Sequence, residues 1–423
     1  MQRVMMRIGR ALQPLLDPDA APRQAKAVAT ARALKQAQDG FERVAARVGK
    51  VVERVDKIDR HHLTHLKHSI SVLEDNTRRQ DAFAHRLLRV SHRNSEREFI
   101  RMHALRRLRE LSRRKGPVLV GPWTGEVGFE LLYWAPFVRW ALQEFSIDAS
   151  RVTLLSRGGT EAWYGIDGAR YLDVFELCTP DTFREQTVGA QKQRTLRLFD
   201  RQLIRRAWRE MDSRGALLHP AMMYALYTPY WSQETSSRWV HQLAEYRPIV
   251  PPVIPELKLP SEYVAARFYF SKCFPDTPAN RQVVDSLIRS ITAETDVVLL
   301  TPRMRVDDHH DFKGAGIERL HTVEHLIQPH NNLAIQTAVI AGAKAFIGTY
   351  GGFSYLAPLC GVDAVALYSQ RTYFPYHLDF AQHVFDVVQG GSLTVANTAT
   401  WPLTQHLALA SAAQTPSRKD VTL

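Results

Sequence analysis

A turn with three glycines in five positions, at 348–352, is the clearest candidate for chemistry in this sequence. It lies in IGTYGGFSYLAPLCGVDAVALYS, residues 347–369, between two apolar runs that we predict to be strands. Glycine lets the backbone approach a ligand closely, and the N–H groups that begin the next helix attract phosphate. The residues that would form this site are Gly348, Thr349, Tyr350, Gly351, Gly352, Phe353 and Ser354. The alternative is a tight turn in which glycine serves packing alone.

A second glycine-rich loop, GPWTGEVGFE at 121–130, contains two carboxylates. Glu126 lies between glycines in the loop that follows an apolar run, whereas Glu130 falls inside the predicted helix. A carboxylate within about 3 Å of a hydroxyl can take its proton as a new bond forms. We therefore interpret Glu126 as a candidate general base and Glu130 as a lesser candidate for substrate contact. The alternative for Glu126 is a first-turn glutamate favoured by the helix dipole.

Positive charge near a third strand end suits an anionic ligand. Arg267 and Lys272 bracket the end of the apolar run at 263–270, where a diphosphate would need cations as well as N–H groups. Both are therefore predicted to contact the same ligand as the glycine turn.

A fourth segment, RMRVDDHHDF at 303–312, has the side chains of a metal site. Its candidates are Asp307, Asp308, His309, His310 and Asp311. Consecutive residues rarely all face one ion, so we favour a solvated loop, or a loop in which Asp308 and His309 contact a nucleotide or an acceptor. No metal and no cofactor are expected.

The elements around these residues predict an α/β fold with two Rossmann-like domains. Short apolar runs alternate with amphipathic helical segments from residue 117, which is typical of an open parallel sheet. Helical, aromatic-rich sequence is expected from about 157 to Tyr246. Five prolines in RPIVPPVIPELKLP, at 247–260, predict an extended linker. We place the domains at 117–250 and 251–400, with a C-terminal helix and tail at 401–423.

Residues 1–116 are predicted to form a basic helical arm. They hold 27 Lys and Arg against 13 Asp and Glu, although the whole chain has a net charge of +12. Apolar residues recur from Phe41 to Ile58 at a spacing of three and four, which is typical of a partly coiled-coil helix. A homodimer, a hairpin packed on the main body and attraction to an anionic membrane all remain open.

Several classes of protein lose their usual support. The three cysteines are widely spaced, so neither a disulfide framework nor a paired-cysteine metal site is indicated. We find no apolar run long enough to span a membrane and no secretory pattern, and expect a cytoplasmic protein, or one at the inner face of the membrane. Walker A, G-x-S-x-G and complete G-x-G-x-x-G motifs are absent from the sequence.

The glycine turn resembles the C-terminal domain of the lipopolysaccharide heptosyltransferases, which are GT-B glycosyltransferases. The shared elements are the turn glycines, YLA at 355–357, Gly361 and VALY at 365–368, although Tyr355 stands where that group commonly has His. The stretch from 331 to 358 is also similar to bacterial polysaccharide glycosyltransferases. The resemblance implies two Rossmann-like domains, a nucleotide-sugar donor at the turn, an acidic residue at Glu126 facing the acceptor, and transfer without bound metal.

We therefore expect a glycosyltransferase that moves a sugar from a nucleotide-diphosphate donor to a glycan or lipid-linked acceptor. A nucleotide-sugar epimerase of the same fold is an alternative, for which only the 307–311 segment offers acid–base groups. A scaffold or nucleic-acid-binding protein acting through the arm is another. The arm has few aromatic residues for base stacking, so nucleic acid is an unlikely partner.

Overall fold

The chain forms two compact units, Met1–Ile100 and Arg101–Leu423. The computed structural model describes residues 20–55, 69–76, 78, 98–189, 192–302, 310–314, 316–372 and 374–399. Among these residues, no helix combines the length and the apolar character that crossing a membrane requires.

The first unit contains a long helix, α1 (Ala20–Val55), and further helical residues at 69–76. The helical prediction for the arm is confirmed over these ranges. Phe41 and Val48 are half-buried, whereas Val44 between them is 48% exposed. The rest of the predicted apolar seam, from Val51 to Leu66, lies outside the described side chains, so the coiled coil stays a prediction.

The second unit begins with helical residues that belong to its core. Helix α2 covers 98–113, and its part from 101 onward contributes Ala104, Leu108 and Leu111 to the main hydrophobic cluster. Leu108 has no exposed surface. Residues 101–113 therefore pack on the sheets, although the sequence analysis assigned them to the arm.

The first sheet of this unit has four parallel strands in the order β3-β2-β1-β4. The strands are β1 (Val118–Val120), β2 (Val152–Ser156), β3 (Arg170–Asp173) and β4 (Ala216–Leu218). Helix α3 follows β1 and runs through Val127–Phe129, a π-helical turn at Glu130–Trp134, and Ala135–Glu144. The helices that follow are α4 (Glu161–Tyr164), α5 (Val174–Leu177), α6 (Pro180–Thr187), α7 (Leu198–Glu210), α8 (Pro220–Trp231) and α9 (Arg238–His241).

The second sheet has six parallel strands in the order β12-β11-β10-β5-β7-β9. They are β5 (Tyr263–Arg267), β7 (Asp296–Leu299), β9 (Leu320–Thr322), β10 (Ala345–Thr349), β11 (Ala364–Tyr368) and β12 (Leu393–Asn397). Two short strands, β6 (Tyr269–Phe270) and β8 (His310–Asp311), pair antiparallel beside it. The helices are α10 (Pro278–Glu294), α11 (Asn332–Gly342), α12 (Gly352–Leu359) and α13 (Pro375–Val387).

Both sheets have Rossmann topology, and the predicted α/β class with two Rossmann-like halves is confirmed. Numbered within its own half, the second sheet reads 3-2-1-4-5-6 and the first reads 3-2-1-4. In each, the strand order reverses between the first and fourth strands of the half, which are β1 and β4 or β5 and β10. Ligands of such sheets bind beyond the carboxyl ends of the strands at this switch point.

The expectation of helical sequence up to Tyr246 is wrong, because β3 and β4 interrupt it. Strand β4 has only three residues, too few to show an alternating pattern, and β3 is an edge strand whose first residue is exposed. The proline-rich segment at 247–260 has no helix or strand, in agreement with its composition.

Candidate active site

The two switch points meet where α3 and α12 begin. A Cβ placed on Gly352 would lie 2.6 Å from the backbone nitrogen of Gly128 and 3.0 Å from the Cβ of Val127. A Cβ on Gly128 would in turn lie 3.2 Å from the Cα of Gly352 and from the Tyr355 ring. The first turns of the two helices are thus in backbone contact, and a side chain at Gly352 would require the backbone of α3 to shift.

The other glycines of the turn also have neighbours that leave no room for a side chain. A Cβ on Gly348 would overlap the carbonyl oxygen of Arg267, and one on Gly351 would overlap the hydroxyl of Tyr269. The packing alternative therefore has a direct structural reason at each glycine. Phosphate binding at this turn stays a prediction. The number of glycines no longer supports it, because packing accounts for each of them.

Hydroxyl groups hold the turn in shape. Thr349 Oγ1 donates to the backbone oxygen of Tyr269 at 2.8 Å and accepts from its nitrogen at 3.1 Å. Ser354 Oγ donates to the oxygen of Gly351 at 2.6 Å and accepts from its nitrogen at 3.2 Å. The hydroxyl groups of Tyr350 and Tyr355 lie 2.6 Å apart.

Helix α12 begins with the N–H groups of Gly352 and Phe353. The first turn of an α-helix has no internal acceptor for such groups.

Arg267 ends the central strand β5 as a buried cation, with 8% of its surface exposed. Its guanidinium carbon lies 4.0 Å from the centre of the Phe353 ring, Nη1 donates to Gln336, and Nη2 is 3.6 Å from Asp311. Within the described part of the chain, Nε has no hydrogen-bond partner. Lys272, the other predicted cation, is exposed on a turn at 271–274.

Glu126 enters from the other half at the N-cap of α3. It is half-buried, and its side chain makes no hydrogen bond to its own helix. Burial raises the pKa of Tyr224 and of Tyr355, and the charge of Glu126 adds to both shifts. Glu126 therefore lies near α8 of the first half and near α12 of the second, at the meeting of the two switch points.

Glu130 is enclosed by protein atoms in the π-helical turn of α3. Its Oε1 accepts hydrogen bonds from Ser156 at 2.5 Å, Tyr164 at 2.8 Å and Thr160 at 3.2 Å. Its Oε2 lies 3.5 Å from Nη1 of Arg157. Burial raises the pKa of this carboxyl, while Arg157 and the hydroxyl donors oppose the rise. Glu130 ties α3 to the loop after β2, and substrate contact stays a prediction for it.

The structure describes only part of the 303–312 segment, in which the sequence predicts nucleotide or acceptor contacts. Asp307, Asp308 and His309 lie outside the described residues. His310 and Asp311 form β8, and Asp311 faces Arg267. Over the described ranges, no group of three or more His, Cys, Asp or Glu side chains is arranged to hold a metal ion.

The sequence analysis did not identify Asp200 and His219, which lie beneath the loop that carries Glu126. Asp200 is fully buried on α7 and His219 follows β4 at the first switch point. The signal was present: Asp200 falls on the apolar stripe of α7, between Phe199 and Leu203. A carboxylate on the buried face of an amphipathic helix requires hydrogen-bond or ionic partners, so its presence in the sequence indicates a specific polar contact in the core.

Known structures include proteins of similar fold. ADP-heptose lps heptosyltransferase II of E. coli matches with 10% identity and a TM-score of 0.42, over 71% of this chain and 98% of that one. E. coli heptosyltransferase WaaC with ADP matches with 12% identity and a TM-score of 0.36, over 70% and 99%. SsfS6, a Streptomyces sp. SF2575 glycosyltransferase, matches with 10% identity and a TM-score of 0.28, over 71% and 90%.

Comparison of the sequence with family models and with curated proteins gives no match. At these identities and scores, function has to be inferred from the residues of the site.

The contact between the two first turns can be tested by adding one methyl group. We expect Gly352→Ala to lower the free energy of unfolding by about 1–3 kcal/mol, because its Cβ meets backbone that cannot move easily. Gly116→Ala is the matched control, since nothing lies within 4 Å of its Cβ. Urea unfolding measures both. Equal stability of the two variants would show that the halves do not touch here.

Proposed function

We propose that this chain is a GT-B glycosyltransferase that moves a sugar from a nucleoside-diphosphate donor to a hydroxyl of a glycan or lipid-linked acceptor. The observation that carries the proposal is the meeting of two switch points that bring different chemistry. The first contributes a half-buried carboxylate, Glu126, and the second a buried cation, Arg267. An acid–base group facing an anion site is the arrangement that transfer from a phosphorylated sugar requires.

The donor would bind to the second half. Its diphosphate would accept hydrogen bonds from the N–H groups of Gly352 and Phe353 and from the Nε of Arg267. Stacking on Phe353 and the hydrogen bond to Gln336 hold the guanidinium in place without a ligand. Binding would therefore cost little further conformational entropy of this side chain. This fixed positive charge would stabilise the leaving diphosphate most strongly in the transition state.

The acceptor would approach from the first half. In the proposed step its hydroxyl oxygen attacks the anomeric carbon, and the bond between that carbon and the phosphate oxygen breaks. The hydroxyl proton passes to the carboxylate of Glu126, and the nucleoside diphosphate leaves with the electron pair of the broken bond. No oxidant, reductant or cofactor is required.

An epimerase of the same fold is less well supported by the described residues. Asp311, one of the few acid–base groups expected to serve it, is paired with Arg267. The carboxylates of that segment that remain are Asp307 and Asp308. A scaffold role through the arm does not account for the buried cation at the second switch point.

Donor binding tests the anion site directly. We expect Arg267→Met to weaken the binding of a nucleoside diphosphate at least tenfold, because the cation is lost while an apolar side chain still fills the space beside Phe353. Isothermal titration calorimetry with UDP, GDP and ADP measures the dissociation constant. Arg281→Met is the matched control, since Arg281 also covers an aromatic ring, Phe270, at 5.0 Å, but away from the switch point.

Two results would oppose the donor site. One is unchanged affinity in an Arg267→Met protein whose thermal unfolding shows that it is folded. The other is an equal loss in both variants, which would indicate a general effect of removing positive charge.

Removal of the base tests the acceptor side. We expect Glu126→Gln to reduce kcat for release of the nucleoside diphosphate by about 10²–10⁴, because the amide keeps the size of the side chain and cannot take a proton. The donor dissociation constant should stay within a few-fold, since the diphosphate is held by the other half. A panel of nucleotide sugars, with water or a glycan as acceptor, supplies the assay. Turnover at the wild-type rate would remove Glu126 from the mechanism.

The basic arm would bring the enzyme to its acceptor. A surplus of positive charge attracts anionic lipid headgroups, and each basic residue near the surface adds about 1 kcal/mol. We propose that the arm binds the inner face of the membrane; self-association is the competing possibility.

Flotation with vesicles of phosphatidylglycerol and phosphatidylcholine tests this role. We expect the full chain to float and a chain that begins at residue 101 to remain in the dense fraction. The cut is placed at 101 because Leu108 belongs to the core of the second unit. Equal flotation of both proteins would exclude the membrane role, and analytical ultracentrifugation of both would then measure self-association.

A further inference from the structure

A single buried carboxylate holds two long side chains beneath the Glu126 loop. Asp200 has no exposed surface. Its Oδ2 accepts hydrogen bonds from the backbone nitrogen of Arg197 at 2.9 Å and from its Nε at 3.2 Å. Its Oδ1 accepts from Nη2 of Arg197 at 3.1 Å and from Nε2 of Gln193 at 3.3 Å. The positions of both side chains therefore depend on Asp200.

Arg197 and Gln193 also form hydrogen bonds to the loop that carries Glu126, so fixing these two side chains restrains the loop. Nη2 of Arg197 donates to Oγ1 of Thr124 at 2.6 Å. Oε1 of Gln193 accepts from the backbone nitrogen of Thr124 at 2.9 Å, and its Nε2 donates to the oxygen of Pro122 at 2.8 Å. Thr124 is thus held through backbone and side chain, two residues before Glu126.

The earlier part of the loop has separate anchors. Gly121 donates to Leu218 and Trp123 to Leu155, both through the backbone at 2.9 Å. The contacts that lead back to Asp200 add a further hold at Pro122, and they are the ones that fix Thr124. Glu126 stands two residues after Thr124 at the N-cap of α3, so the position of Thr124 limits where the backbone of Glu126 can lie.

His219 supports Asp200 and does not compete with Glu126 as a base. Its Nδ1 accepts from the backbone nitrogen of Ala221 at 3.1 Å, so Nε2 carries the hydrogen of the neutral ring. Nε2 faces Oδ2 of Asp200 at 3.6 Å. Burial opposes ionisation of Asp200, but His219 and Arg197 together lower its pKa to about 2. The carboxylate is therefore charged at neutral pH.

We propose that Asp200 is a positioning residue, which fixes Glu126 through Arg197 and Gln193. This rests on the proposed function of Glu126 as the base. A buried ion pair seldom stabilises a fold more than well-packed hydrocarbon of the same volume, so stability alone does not account for it. A base has to be held within about 0.5 Å of its productive position, and that requires rigid support behind it.

Two variants separate positioning from folding. Asp200→Asn removes the charge that faces the guanidinium of Arg197, whose side chain is 20% exposed. The double variant Asp200→Leu with Arg197→Met replaces the pair by hydrocarbon, which can restore stability. We expect both to lower kcat for nucleoside diphosphate release at least tenfold, with the dissociation constant for the nucleoside diphosphate within twofold of wild type. The double variant should unfold near the wild-type temperature.

Hydrogen exchange gives a readout that does not need activity. We expect amides at 124–128 to exchange at least tenfold faster in Asp200→Asn than in wild type. Asp173→Asn is the matched control, because Asp173 is also a buried carboxylate that accepts from a loop nitrogen, that of Gly159 at 2.8 Å. Its loss should leave exchange at 124–128 unchanged.

Four outcomes decide the proposal. Wild-type kcat in a stable double variant would overturn it, and so would unchanged exchange at 124–128 in Asp200→Asn. If the wild-type protein releases no nucleoside diphosphate from any donor, the proposed function fails, and exchange alone decides whether Asp200 holds the loop. Faster exchange together with lower kcat at constant affinity supports both proposals.

Discussion

The contact between Gly128 and Gly352 is the constraint on which the rest of the site depends. Two Rossmann-like sheets each provide a switch point, and a ligand that bridges them requires those points to lie side by side. A Cβ at Gly352 would not fit against the backbone of Gly128, so this pair of glycines allows the halves to approach each other closely here. This close approach brings the loop that carries Glu126 near the turn that follows β10, beside Arg267.

A second constraint is the cost of burying charge. Arg267, Glu130 and Asp200 are each at least nine-tenths buried, and each is held by several partners. The partners come from different elements: α11 for Arg267, the loop after β2 for Glu130, and the segment before α7 for Asp200. Each charge therefore fixes the relative position of two elements close to the switch points. Charged groups that need this much support place neighbouring backbone accurately.

The sequence predicts the architecture well and the contacts poorly. Alternation of apolar runs and helices identified both sheets, because buried parallel strands are continuous apolar segments. Strands β3, β4, β9 and β12 were missed. All four lie at the edges of their sheets, and β4 and β9 have only three residues. The glycines at 348–352 were predicted to bind phosphate, which stays a prediction, whereas the neighbours they pack against, Arg267, Tyr269 and Gly128, are distant along the chain. A packing requirement between remote residues leaves no mark on local spacing. Asp200 is the exception, since its place on an apolar helix face could have revealed it.

The π-helical turn at Glu130–Trp134 affects how this chain can be aligned with distant relatives. Such a turn accommodates one additional residue within a helix. Each residue rotates an α-helix by about 100°, so the turn sets the angle between Glu126 and the buried face of Ala135–Glu144. A homologue without it would match this chain on one side of the turn and be one position out on the other. A gapless alignment through α3 would then assign the wrong residue to either the carboxylate or the core.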